Sequence, residues 1–168
     1  MQTLDGKVQV KARVRSISEL MPGTRLVWLD APEIAKLAKP GQFVMVRCGE
    51  DHDLLLRRPL SIHKVDSNGG LALLFEVVRR GTTWLSERAS DDLVDLVGPL
   101  GNGFSIRPDA KSLLLVAGGI GIAPLAYLAE EASRRGKKAT LLQGGKQEAS
   151  LLYPRHELPP RATVVSAT

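Results

Sequence analysis

The chain has 168 residues, 43% of them hydrophobic, which suffices for one sizeable core or for one compact domain plus part of a second. No apolar run approaches the ~20 residues of a membrane span, and the opening MQTLDGKVQVKARV alternates apolar and polar residues where a secretory signal has an apolar stretch. The formal charge is +5, but lysine and arginine are dispersed, aromatic content is 4% and no basic block appears; no nucleic-acid partner is expected, and such a surface equally attracts an anionic dinucleotide.

Up to about residue 110, short β-like runs alternate with turn signals. The runs are Lys7–Ile17, Thr24–Leu29, Gln42–Arg47, Leu60–Val65, Leu71–Val78 and Leu93–Val97. Pro22-Gly23, Pro40-Gly41, Asn68-Gly69-Gly70 and Gly98-Pro99 punctuate them, a pattern that predicts an antiparallel barrel or sandwich. Asn68-Gly69-Gly70, between two apolar runs, predicts a hairpin. Helical interruptions are expected at Ala31–Ala38 and Thr82–Ala89. The single cysteine, Cys48, lies in a β run. It excludes an internal disulfide and a multi-cysteine metal centre, so no metal site is expected, and it fits a reducing cytoplasm.

The pattern then changes to strand, glycine turn, helix, strand. Ser112–Ala117 is a continuous apolar run, as expected of a strand buried on both faces. Leu125, Leu128, Ala129 and Ala132 recur at helical spacing, and Gly136 stands where a helix ends. Ala139–Gln143 reads as a strand, Glu148–Glu157 as a short helix and Ala162–Ser166 as a third strand. Pro108 and polar neighbours in Ile106–Lys111 mark the boundary, dividing the chain into a β unit, 1–107, and an α/β unit, 108–168. A complete dinucleotide-binding sheet usually has about five or six strands, so the second unit reads as the first part of one, cut short.

Gly118-Gly119-Ile120-Gly121-Ile122-Ala123-Pro124 joins the first strand of that unit to its helix. Glycines let the backbone turn tightly against a ligand, and a helix start favours a pyrophosphate. Pro124 suits the first helical turn. The spacing is G-x-G-x-x-P, not the Rossmann G-x-G-x-x-G, and a tight connection that binds nothing would use the same residues. The second strand ends in Gln143-Gly144-Gly145-Lys146, without the acidic residue that holds an NAD ribose. NAD and NADP both stay open.

Arg57-Arg58-Pro59-Leu60-Ser61-Ile62 opens a predicted strand. An arginine forms paired charge-assisted bonds with a phosphate, and a serine hydroxyl donates or accepts. A surface arginine pair before an ordinary strand is the plainer reading. Further on, Arg80-Gly81-Thr82-Thr83-Trp84-Leu85 places a Gly-Thr pair at a helix start, where amides and hydroxyls suit a diphosphate or serve as a plain N-cap.

With Gly98-Pro99-Leu100-Gly101-Asn102-Gly103-Phe104 between them and the glycine turn, these segments stand in the order of a known family. Across almost its whole length the chain resembles the ferredoxin–NADP reductase-like superfamily, and within it the electron-transfer subunits of type 1B dihydroorotate dehydrogenase. The resemblance implies an FAD-binding β-barrel followed by a partial Rossmann-like nucleotide domain. Arg58 would contact the FAD diphosphate, and Pro59 and Leu60 would shape the flavin wall. Ser61 would lie at the reactive ring edge, as the catalytic position. Leu74, Phe75 and Glu76 would lie beside the flavin, Gly81 and Thr82 at its phosphates, and Gly119, Gly121 and Pro124 at the nicotinamide nucleotide, NAD(P), a co-substrate.

Relatives often carry glycine at the turn position held here by Asp91. Their [2Fe–2S] cluster is held by four C-terminal cysteines with no counterpart in this chain. The implied circuit takes electrons from a separate FMN-containing dihydroorotate dehydrogenase catalytic subunit, in a hetero-oligomer, through that cluster to FAD and on to NAD⁺ in pyrimidine biosynthesis. No acid–base triad is needed, since the flavin carries the chemistry. His52, His63 and His156 need not act as bases, though His63 falls close to the flavin. A flavin reductase, the flavin subunit of another oxidoreductase, and a non-catalytic flavin-binding module are the alternatives.

Overall fold

A computed structural model of the chain describes residues 3–4, 7–49, 55–152 and 159–168. Strand β1 (Thr3–Leu4) pairs with β2 (Lys7–Met21), and β3 (Thr24–Asp30), β4 (Phe43–Val46), β5 (Arg58–Val65), β6 (Gly70–Glu76) and β7 (Leu93–Leu100) complete the first sheet. Its order is β1-β2-β3-β6-β5-β4-β7. The long strand β2 closes it: Val8–Arg13 pair with Gly98–Leu93 of β7, and Arg13–Met21 with Asp30–Thr24 of β3. Register shifts between Val14 and Ser16, and between Glu19 and Met21, bend β2 around that corner. The result is the antiparallel barrel that the strand pattern predicts. Its interior holds Val8, Ala12, Val14, Val27, Leu29, Val44, Val46, Ile62, Leu71, Leu73, Phe75, Val94 and Leu96, the inward half of each alternation.

The hairpin falls as predicted. Gly69 has φ +80, and Asp66 Oδ1 accepts the amides of Asn68 at 2.8 Å and Gly70 at 2.7 Å. Asp91 also takes positive φ, +75.

Helix α1 (Pro32–Ala35) is shorter than the expected 31–38 segment. Helix α2 (Arg80–Ser86) starts two residues before the expected Thr82, with Arg79 as N-cap. Thr82 is therefore not the cap. Its Oγ1 instead reaches back to accept the amides of Val78 at 3.0 Å and Arg79 at 3.3 Å. Leu85 plugs α2 into the barrel core at 0% exposure.

The second sheet is parallel, in the order β10-β9-β8, built from β8 (Ser112–Gly118), β9 (Lys138–Gly144) and β10 (Ala162–Ala167). A 3₁₀ turn at Gly119–Gly121 leads into α3 (Ile122–Arg134). Gly136, with φ +71, ends that helix through its amide to Ser133 O at 2.9 Å.

Two expectations are corrected here. Strand β8 is buried on one face only: Leu115 and Ala117 are buried, whereas Leu114 and Val116 are each 67% exposed. Among the described residues α3 covers one side of the sheet, so an apolar run did not mean two covered faces. The strand that is buried on both faces is β6, where Leu71, Leu73 and Phe75 face the barrel core and Ala72 and Leu74 pack with Leu115, Ala117 and Ile122. The expected helix at Glu148–Glu157 is a 3₁₀ turn at Glu148–Ser150, followed by extended backbone at Leu151; residues 153–157 lie outside the described residues.

Candidate functional site

Strands β5 and β6 are antiparallel neighbours, with Ile62 opposite Leu73. This register sets Pro59–Ser61 beside Leu74–Glu76. The packing of β6 against the second sheet brings the glycine turn over the same ends. Between them lies a cleft of about 340 Å³, lined by Pro59, Leu60, Ser61, Leu74, Phe75, Glu76, Val78, Thr82, Ile120, Gly121, Ala123 and Pro124. Its volume is at the lower end of the range for small-molecule sites, about 300–1,000 Å³.

Three of the expected residues, Arg58, Gly81 and Gly119, do not line the cleft but each directly neighbours in sequence a residue that does. A β-carbon on Gly81 would fall 2.9 Å from Arg58 Nε, so the arginine lies directly over this glycine. A β-carbon on Gly119 would stand 4.0 Å from Glu76 Oε1. Segments from four places in the sequence thus meet at one site. Val78, Ile120 and Ala123 were not anticipated one by one. No sequence signal singles out Val78, whose 73% exposure is visible only in the fold.

The two adjacent arginines serve different ends. Arg57 is spent on Asp95, donating at 3.1 Å to Oδ1 and 2.8 Å to Oδ2. Arg58 donates to Leu56 O at 2.7 Å, and among the described residues it pairs with no carboxylate. It therefore keeps a cation available for an anion at the edge of the cleft. Ser61 is half-buried, and no described residue hydrogen-bonds its hydroxyl. The hydroxyl of Thr82 is engaged, since besides accepting two amides it donates to Arg79 O at 3.0 Å.

The P-L-G-N-G-F segment lies elsewhere. Phe104 donates its amide to Pro40 O at 2.7 Å, Gln42 Nε2 donates to Gly101 O at 2.8 Å, and a β-carbon on Gly41 would meet the Phe104 ring at 2.7 Å. This segment locks the strand entrance before β4 and does not line the cleft. Lys146 is exposed beyond β9. Cys48 is buried, with its thiol pushed up to about 11 by burial, partly offset by Arg58. Among the described residues no group of three or more His, Cys, Asp or Glu is placed to hold a metal ion, and no helix is long and apolar enough to cross a membrane. His52 and His156 lie outside the described residues.

Comparison with known proteins bears on this geometry. A Desulforamulus reducens protein named dihydroorotate dehydrogenase B (NAD(+)), electron transfer subunit, is 44% identical over 158 residues, covering 94% of this chain and 60% of that protein. A Bacillus caldolyticus protein of the same name is 38% identical over 123 residues, 71% of this chain and 48% of that protein. The structure of an NADH-dependent reduced ferredoxin-NADP oxidoreductase superposes with a TM-score of 0.79 at 27% identity, covering 94% of this chain and 57% of that one. The ferredoxin reductase of carbazole 1,9a-dioxygenase shares the fold, with a TM-score of 0.80 at 24% identity over 95% of this chain and 50% of that one. No protein-family model matches the chain. The chain spans about half to three-fifths of the curated relatives it matches.

The fold is that of the ferredoxin–NADP reductase-like superfamily, a closed antiparallel barrel followed by part of a Rossmann-like sheet. Within that superfamily its curated homologues are the dihydroorotate dehydrogenase B electron-transfer subunits.

Proposed function

We propose that residues 1–107 form an FAD-binding unit and residues 108–168 part of an NAD(P)-binding unit, together serving as the electron-transfer subunit of a dihydroorotate dehydrogenase in the cytoplasm. The observation that carries this reading is the meeting of Arg58–Ser61, Leu74–Glu76, Gly81–Thr82 and Gly119–Pro124 around one cleft.

The residues suit a flavin. Pro59, Leu60, Val78 and Ile120 give apolar walls, while Ser61 offers a hydroxyl that no described residue engages. Arg58, over the bare backbone of Gly81, would neutralise the diphosphate. Bound FAD would supply the electron and hydride chemistry between the donor side and NAD⁺. The protein's part is placement: Ser61 would hydrogen-bond the ring edge, and Gly121 and Pro124 would leave room for a nicotinamide opposite. Ile120 and Ala123 would help exclude water.

An iron–sulfur cluster does not fit these residues, because Cys48 is the single cysteine and, among the described residues, no group of three or more potential ligands is placed to hold a metal. The partner in this reading is an FMN-containing dihydroorotate dehydrogenase catalytic subunit, joined in a hetero-oligomer. Co-expression with such a subunit, followed by anaerobic addition of NADH, tests the assignment. The two chains should co-purify, and NADH should bleach the bound flavin. A flavin that stays oxidised with both NADH and NADPH would contradict the nucleotide link. A second reading is a flavin reductase of the same fold. NADH oxidation driven by free flavin, with no partner bound, distinguishes it.

A further inference from the structure

His63 follows the proposed flavin wall by two residues on β5, and it is 0% exposed. Its Nδ1 stands 2.9 Å from the carbonyl oxygen of Ala123. A carbonyl only accepts, so Nδ1 carries the proton in this bond. Ala123 belongs to the first turn of α3 and itself lines the cleft. The bond therefore ties the strand that carries Ser61 to the backbone that follows the glycine turn.

Helix α3 meets the barrel at two more polar points. Tyr127 OH donates to Ala38 O at 3.1 Å, and Lys64 Nζ pairs with Glu130 Oε1 at 2.6 Å. Positions 123, 127 and 130 are spaced four and three apart and so share one helix face. The Tyr127 and Glu130 contacts hold the middle of the helix. Among these polar contacts, that of His63 reaches the end that faces the cleft.

The helix start itself is packed, with Ile122 and Ala123 3% and 2% exposed in the core between β6 and the second sheet, but the glycine turn before it is open. A β-carbon on Gly118 or Gly121 would meet no atom within 4 Å, and one on Gly119 only Glu76 Oε1 at 4.0 Å. The position of the turn thus depends on what holds the helix start. Apolar packing is non-directional, whereas a buried hydrogen bond is restricted in distance and angle and so adds a defined register. Hydride transfer is sensitive to such placement, since a shift of about 1 Å costs on the order of a hundred-fold in rate.

We propose that His63 is a positioning residue: through Ala123 it sets the distance and register between the nicotinamide-facing glycine turn and the flavin-facing strand. The proposal rests on reading the cleft as a flavin–nicotinamide site.

The test uses His63→Leu, which removes the donor, His63→Asn, whose amide sits near the Nδ1 position, and His63→Gln, whose amide does not. In the cofactor-free protein, amide hydrogen exchange in Ala126–Ala129, whose amides close the first turns of α3, should quicken about ten-fold in the Leu and Gln variants, the effect of losing one ordinary buried hydrogen bond. Exchange in the barrel strands should not change, and Asn should restore the helix start. With FAD bound, affinity for the flavin should stay within about two-fold, while flavin reduction by NADH falls at least about ten-fold in Leu and Gln and recovers in Asn.

Wild-type exchange and reduction in the Leu variant would overturn the proposal. So would an Asn variant no better than Gln, or FAD loss in proportion to the lost rate. If the Leu variant does not fold, the comparison of Asn with Gln decides by the same readouts. A wild-type protein that takes up no FAD would remove the flavin reading, and the cofactor-free exchange result would still judge the His63 contact.

Discussion

The side chain of Arg58 lies over Gly81: a β-carbon there would fall 2.9 Å from Arg58 Nε and 3.4 Å from its Cγ. The arginine of one motif is thus seated on the glycine of the other. Replacing Arg58 with Ala should weaken FAD binding roughly ten- to hundred-fold, the worth of charge-assisted bonds to a phosphate. Thermal stability should hardly change, because the only side-chain hydrogen bond Arg58 makes to the described residues is to Leu56 O. Gly81→Val should reproduce the binding loss by displacing the arginine. Flavin titration beside a melting curve checks both.

Arg57 should behave in the opposite way. Its bidentate pair with Asp95 is largely buried, with side chains 23% and 15% exposed. Arg57→Ala leaves Asp95 with Gln9 Nε2 at 3.1 Å and 3.2 Å as its remaining side-chain partner. The expected cost is about 1–3 kcal/mol of stability, with FAD affinity per folded molecule unchanged. Denaturant unfolding measures the first and flavin titration the second.

Gly121 lines the cleft, yet a β-carbon there meets no protein atom within 4 Å. Gly121→Val should therefore fold normally and still hold FAD. Its added methyl groups would occupy the nucleotide side of the cleft, raising KM for NADH by about ten-fold or more. Steady-state kinetics with an artificial acceptor reads this out. An unchanged KM would place the nucleotide elsewhere.

Burial pushes the Cys48 thiol up to about 11 from an ordinary value near 9, with Arg58 offsetting part of the effect. The neutral thiol is the form the folded state favours, so this contribution to stability is complete below about pH 9. It is lost as the pH rises toward 11, because the unfolded chain deprotonates first. A Cys48→Ala variant should show a weaker decline than wild type across that window in pH-dependent denaturant unfolding. In the folded protein the thiol should also resist alkylation at pH 8.

Much of this was legible in the sequence because it rests on local chemistry. Asn68-Gly69-Gly70 specifies its own hairpin, and the periodicity from Leu125 to Ala132 specifies α3. The residues expected at the flavin converge because β5 and β6 are antiparallel neighbours with Ile62 opposite Leu73. What stayed hidden depends on contacts distant in sequence. The apolar run of β8 did not reveal that one face is uncovered among the described residues, nor did β6 announce its two buried faces. Glu148–Glu157 carries helical composition, but extended backbone follows Ser150. The contact of His63 with Ala123 joins residues 60 positions apart, and no local pattern reports it. The P-L-G-N-G-F segment was legible as a family mark, while its structural work on Pro40-Gly41 was not.

The central claim is that this cleft holds FAD, and reconstitution tests it most directly. The purified, folded chain should be incubated with excess FAD, passed through a desalting column, and measured for flavin absorbance against protein and for secondary structure by circular dichroism. The account predicts close to one FAD retained per chain, with retention sharply reduced in Arg58→Ala. A chain that is folded by circular dichroism yet emerges colourless would contradict it.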